Sequence, residues 1–95
     1  IERMLLMVSY QINVYGRVQG VGFRWFTQTA AEQYHLVGWV RNQLDGSVAM
    51  VVQGELRDVT EFLAIVAEGP GPYSRVDRIE KKPIAPFKGN NFTIQ

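Results

Sequence analysis

Between Val8 and Tyr34 the hydrophobic period changes from two to that of a helix, and the change falls across a glycine-rich stretch. Val8, Tyr10, Ile12 and Val14 alternate with Ser9, Gln11 and Asn13, the pattern of a strand over residues 6–15 with one face buried. Phe23, Phe26, Ala30 and Tyr34 then recur at helical spacing. This predicts a helix from Phe23 to His35, with Gly38 placed to follow its end. Gly16 to Gly22 reads as the loop between them. The chain is thus committed early to a strand–loop–helix unit, and the remaining elements have to be compatible with it.

Val37 to Asn42 reads as a second strand and Ser47 to Gln53 as a third, joined into a hairpin by the turn chemistry of Leu44-Asp45-Gly46. Glu55 to Glu68 places Val59, Phe62, Leu63 and Val66 on one face of a second helix, with Glu55 and Asp58 in the turn where acidic residues suit the helix dipole. "GPGPYS" ends that helix. Val76 and Ile79 mark a fourth strand from Ser74 to about Lys82, limited by Pro83 and Pro86, and Phe92 and Ile94 close with a short strand. With the short closing strand left aside, the order βαββαβ predicts an α+β, ferredoxin-like sandwich: an antiparallel sheet with two helices on one face. With 95 residues the chain reads as one domain over 1–95, able to bury roughly 60–65% of its unfolded surface. Ile1, Glu2 and Arg3 read as an addition ahead of a natural start at Met4, and residues 1–5 are expected to be flexible.

Composition removes several function classes. There is no cysteine, which excludes disulfides, thiolate metal sites and a cysteine nucleophile. A net charge of +1 and a pI near 8.3 are too close to neutral to imply nucleic acid. Met4 to Val8 is too short an apolar run for a membrane span or a signal sequence, so no membrane partner and a cytoplasmic location are expected. His35, the only histidine, is expected to be solvated or to cap the first helix. Trp25 and Trp39 are expected to be core or half-buried packing. "RIEKK" (78–82) reads as a charged edge strand, and the glycosylation-like "NFT" (91–93) as incidental.

The stretch "GRVQGVGFR", Gly16 to Arg24, carries the chemistry. Arg24 falls in the first turn of the predicted helix, the wrong end of the dipole for a cation. The position becomes favourable if an anion lies between the guanidinium and main-chain amides. Glycines let those amides approach an anion closely, and an arginine fork suits two phosphate oxygens. The same glycines also fit a turn built only for close packing. A Walker loop is excluded because no Lys-Ser/Thr follows, and a dinucleotide loop because Trp25 stands where its third glycine belongs. Without cysteine, a phosphoryl-transfer site here would use water as its nucleophile. Arg17 is expected to be solvated or paired at the surface. Asn42, polar in a largely apolar hairpin, either holds an attacking water, since a carboxamide accepts and donates at once, or caps the turn.

Together, "VYGRVQGVGFR" and "GWVRNQLDGSVAMVVQG" resemble the two signature motifs of the acylphosphatase family. The likeness runs from about Ser9 to Ile94 and includes the "GE" before the second helix, "SRV" in the fourth strand and the closing "FTI". The stretch before Val8 and segment 83–91 match less closely. The resemblance implies a ferredoxin-like fold and hydrolysis of acyl phosphates to a carboxylate and inorganic phosphate. It assigns phosphate binding to Arg24 and to the amides of Gln19, Gly20, Val21, Gly22 and Phe23, and water positioning to Asn42. It implies a monomer whose partners are a small acyl phosphate and the phosphate released, with no nucleic acid. No metal and no cofactor are expected, because a carboxylate leaves without a general acid and no Asp, Glu or His cluster offers a metal cage. Two alternatives remain. One is an anion- or RNA-binding module of the same topology, although "SVAMVVQ" offers no aromatic or basic platform. The other is the acylphosphatase-like domain of a carbamoyl-phosphate-using hydrogenase maturation factor, against which the lack of following zinc-finger cysteines counts.

Overall fold

A computed structural model describes residues 6–95, so the expectations for residues 1–5 lie outside the described residues. Seven elements follow in order: β1 (Met7–Arg17), α1 (Phe23–Gln33), β2 (Val37–Asn42), β3 (Val48–Glu55), α2 (Leu56–Glu68), β4 (Arg75–Pro83) and β5 (Phe92–Ile94). They form one five-stranded sheet of order β4-β1-β3-β2-β5. α1 packs against β2 and β5, and α2 against β3 and β4. The alternation in β1 sets which face is covered: Ile12 and Val14 are fully buried, opposite Met50 and Val48 of β3. They join Phe23, Ala31, Val59, Phe62 and Val66 of the helices in a single core. Leu63, expected in that core, is only partly buried against it.

The uncovered face carries polar and aromatic pairs. Arg78 lies 4.1 Å over the Tyr15 ring, whose hydroxyl donates to Glu80 at 3.0 Å, and Arg41 lies 4.7 Å over Trp39. β4 occupies one sheet edge and carries the expected run of charges. Residues 84–91 cross this face at the end remote from the β1–α1 loop. Gln53 fastens the crossing by donating to the Phe87 carbonyl at 2.7 Å and accepting from its amide at 3.0 Å.

That crossing corrects the expectation of an antiparallel sheet. A chain that leaves β4 at the remote end can only return toward the loop, so β5 runs parallel to β2, with Gly38 opposite Phe92 and Val40 opposite Ile94. The sheet is mixed. Two smaller readings also change. Gly16 is not loop: β1 continues through a register shift at Tyr15/Gly16 to Arg17, which lies opposite Arg75, and the connection shrinks to residues 18–22. Gly38 does not end α1: it lies inside β2 with φ 141°, where a Cβ would stand 1.8 Å from the Val51 carbonyl oxygen. The helix ends at Gln33, and the chain turns off it at His35, alone among the described non-glycine residues in having positive φ, at 58°. His35 and Leu36 donate back to the carbonyls of Glu32 and Ala31, the paired pattern that closes a helix on a left-handed residue. No helix among the described residues is long and apolar enough to cross a membrane.

Candidate active site

Where β1 ends, Val18 is buried and anchors the connection in the core. Gln19 then turns its side chain away from the helix. Its amide donates to the carbonyls of Gln43 at 2.7 Å and Ser47 at 2.8 Å. Those carbonyls belong to the β2–β3 turn, which is closed by Gln43 N–H to Ser47 O at 2.8 Å and Gly46 N–H to Gln43 O at 3.2 Å. The Asp45 carboxylate accepts from the Ser47 amide at 2.9 Å and from its hydroxyl. These hydrogen bonds hold the Asp45 carboxyl below its ordinary value. Asn42 ends β2 directly before this turn. The β1–α1 connection and the end of β2 are therefore bound through one glutamine.

Gly22 precedes α1 in the left-handed region, φ 78°, where a side chain would be strained. The first turn has no acidic residue and no side-chain cap, so its leading amides have no partner from a side chain. Arg24 projects from that turn. Its Nη1 donates to the Gln95 main-chain oxygen at 3.1 Å, and among the described residues it makes no ion pair. The rest of its guanidinium has no hydrogen-bond partner among the described residues. Gly20, Gly22, Phe23, Arg24, Trp25 and Asn42 line one cleft of about 200 Å³, bounded also by Val18 and Ile94.

The structure thus brings Arg24, Asn42, Gly20, Gly22 and Phe23 together. Of the other expected loop residues, Val21 packs against the core and Gln19 is committed to the turn. Asp45, not Asn42, caps the turn, and among the described residues the Asn42 side chain makes no hydrogen bond. Arg17 is exposed, as expected. Trp25 is a correction: it is 58% exposed at the cleft rather than packed. The signal was present, since position 25 falls outside the stripe 23–26–30–34 on a 3.6-residue repeat. Two contributors had no sequence signal, the Gln19 side chain and the arrival of Ile94 and Gln95 beside Arg24. No group of three His, Cys, Asp or Glu side chains converges among the described residues.

Comparison with known proteins matches the chain to a known family. The family model described as acylphosphatase matches residues 10–94. An acylphosphatase of Leuconostoc mesenteroides is 48% identical over 89 residues, covering 94% of this chain and 99% of that protein. The crystal structure of the Bacillus subtilis acylphosphatase superposes with a TM-score of 0.88 at 36% identity, covering 95% of this chain and 99% of that one. Full-length HypF, solved in a phosphate- and nucleotide-bound form, superposes with a TM-score of 0.86 at 32% identity. That match covers 98% of this chain but 12% of HypF.

Proposed function

The chain belongs to the acylphosphatase family, and on that premise we propose that it hydrolyses acyl phosphates to a carboxylate and inorganic phosphate. The observation that carries the reading is the meeting of Arg24, Asn42 and the start of α1 around one cleft. The phosphoryl oxygens sit against the loop and first-turn amides and the Arg24 guanidinium, which concentrate positive potential where transition-state charge gathers. Asn42 accepts a hydrogen bond from water through its carbonyl and donates to a phosphoryl oxygen through its amide. This places the water in line with the scissile bond, a contribution of orientation rather than basicity.

The water oxygen forms the new P–O bond as the bond from phosphorus to the acyl oxygen breaks. The bonding pair leaves on the carboxylate, and the water's proton passes to a phosphoryl oxygen. An acyl phosphate dianion and water thus become a carboxylate and dihydrogen phosphate. The leaving group is a weak base with a pKa of about 4, so no general acid is required. His35, beyond the other end of α1 and about 16 Å along its axis, plays no part. Arg24 and the amides supply the positive charge, so the reading assigns no metal or cofactor. It also takes the enzyme to be a cytoplasmic monomer that engages no nucleic acid.

Acetyl phosphate hydrolysis in the presence of a chelator tests this reading. Arg24→Ala and Asn42→Ala should each lower kcat by about two to three orders of magnitude. Inhibition by inorganic phosphate should persist in Asn42→Ala and weaken in Arg24→Ala. An inactive parent chain would overturn the activity, and near-normal turnover of Asn42→Ala would overturn the water-positioning role.

A further inference from the structure

The cleft takes a phosphoryl group but does not enclose a bulky acyl phosphate whole. Its volume of about 200 Å³ is below the roughly 300–1,000 Å³ of sites that enclose a small ligand. If the phosphoryl group occupies it, as the acylphosphatase reading requires, the acyl group must emerge at the mouth. Two apolar side chains that line the cleft are open to solvent there: Trp25 at 58% and Ile94 at 39% exposure. They come from different elements, the first turn of α1 and the end of β5.

Trp25 is supported from beneath. Its ring meets Phe26 edge-on, with centroids 4.9 Å apart and planes at 81°. Phe26 is packed so closely on Gly71 that a Cβ there would come within 2.5 Å of the ring, and it lies against Gly22 on the loop. A large aromatic surface held in place beside a charged cleft, with its own face unburied, is suited to bind a second flat apolar group.

We infer that Trp25, with Ile94, forms a shelf for the acyl group and makes Trp25 a specificity-determining residue that favours aromatic over small acyl phosphates. This rests on the acylphosphatase reading of the cleft. Trp25 touches no reacting atom. Its contribution is contact with the acyl portion, which a phosphate ion or a two-carbon acyl group does not provide to the same extent.

The test measures kcat/KM for benzoyl phosphate and acetyl phosphate in the parent, Trp25→Ala and Trp25→Phe. Dividing each variant's benzoyl-to-acetyl ratio by the parent's cancels the intrinsic reactivity of the two anhydrides. Trp25→Ala should lower the ratio about three- to tenfold, chiefly through a higher KM for benzoyl phosphate, and Trp25→Phe should restore most of it. An unchanged ratio in Trp25→Ala, with both substrates still hydrolysed, overturns the shelf and leaves the proposed activity standing. Failure of the parent to hydrolyse either substrate overturns both.

Discussion

Gln19 illustrates how a residue can matter through its side chain where a motif suggests only its main chain. Two carbonyls of the β2–β3 turn share its amide, at 2.7 and 2.8 Å, and Asn42 sits directly before that turn. Gln19→Leu leaves both carbonyls without this donor and frees the turn to shift relative to the loop. We expect kcat to fall about tenfold or more with a smaller change in KM, because misplacement by an ångström costs up to about a hundredfold in an oriented reaction. Steady-state kinetics checks this, and a melting temperature close to that of the parent separates positioning from general unfolding. At this scale the sequence was readable where chemistry and spacing coincide. Arg24 at a helix start and Asn42 at a strand end each allowed two readings from residue type, and it was the resemblance to the family motifs that assigned them roles. The partners of Gln19 lie 24 and 28 residues away and are main-chain atoms, so no residue type in the turn announces them.

The hairpin turn shows what an element owes to local chemistry. Asp45 accepts from both the amide and the hydroxyl of Ser47, and these bonds hold its carboxyl below the ordinary value of 3.8. A carboxyl depressed in the folded state gives stability that is fully present above the ordinary value and lost as pH falls through the lower, folded one. Melting temperature should therefore be insensitive to this group from about pH 7 to pH 5 and decline below about pH 4. Asp77, held down by Arg75, titrates in the same window, so the decisive quantity is the difference between parent and Asp45→Asn. The variant should show a shallower acid decline in a pH series of thermal melts. Turn and strand readings were accurate where such local rules act, as in β2, where the expected and observed bounds agree. They failed at Gly38, whose role is close approach to Val51 in the neighbouring strand rather than ending α1. A glycine required by a strand neighbour and one required by a helix end look alike in one dimension.

Across the whole molecule, the cleft joins parts that are distant in the chain: the connection after β1, the start of α1, the end of β2 and the end of β5. A phosphate ion bound there should stabilise the folded state by mass action. At ten times its Kd the gain is about 1.4 kcal/mol, or roughly 4–8 °C in melting temperature per kcal/mol for a domain of this size. Thermal melts across a phosphate titration should show the rise in the parent and its loss in Arg24→Ala. Layer order and fold class were legible, because hydrophobic periods specify which faces are buried. The parallel pairing of β5 was not, because it depends on the side by which residues 84–91 cross the sheet, a path held by Gln53 and by no periodic signal. That path has a consequence for how the protein is made. Arg24 is synthesised 71 residues before Gln95, whose main-chain oxygen tethers it. A nascent chain already carries both signature motifs while the tether and the wall formed by Ile94 are still absent. A chain cut short before β5 would therefore carry its guanidinium without this anchor, however well the first hairpin had formed.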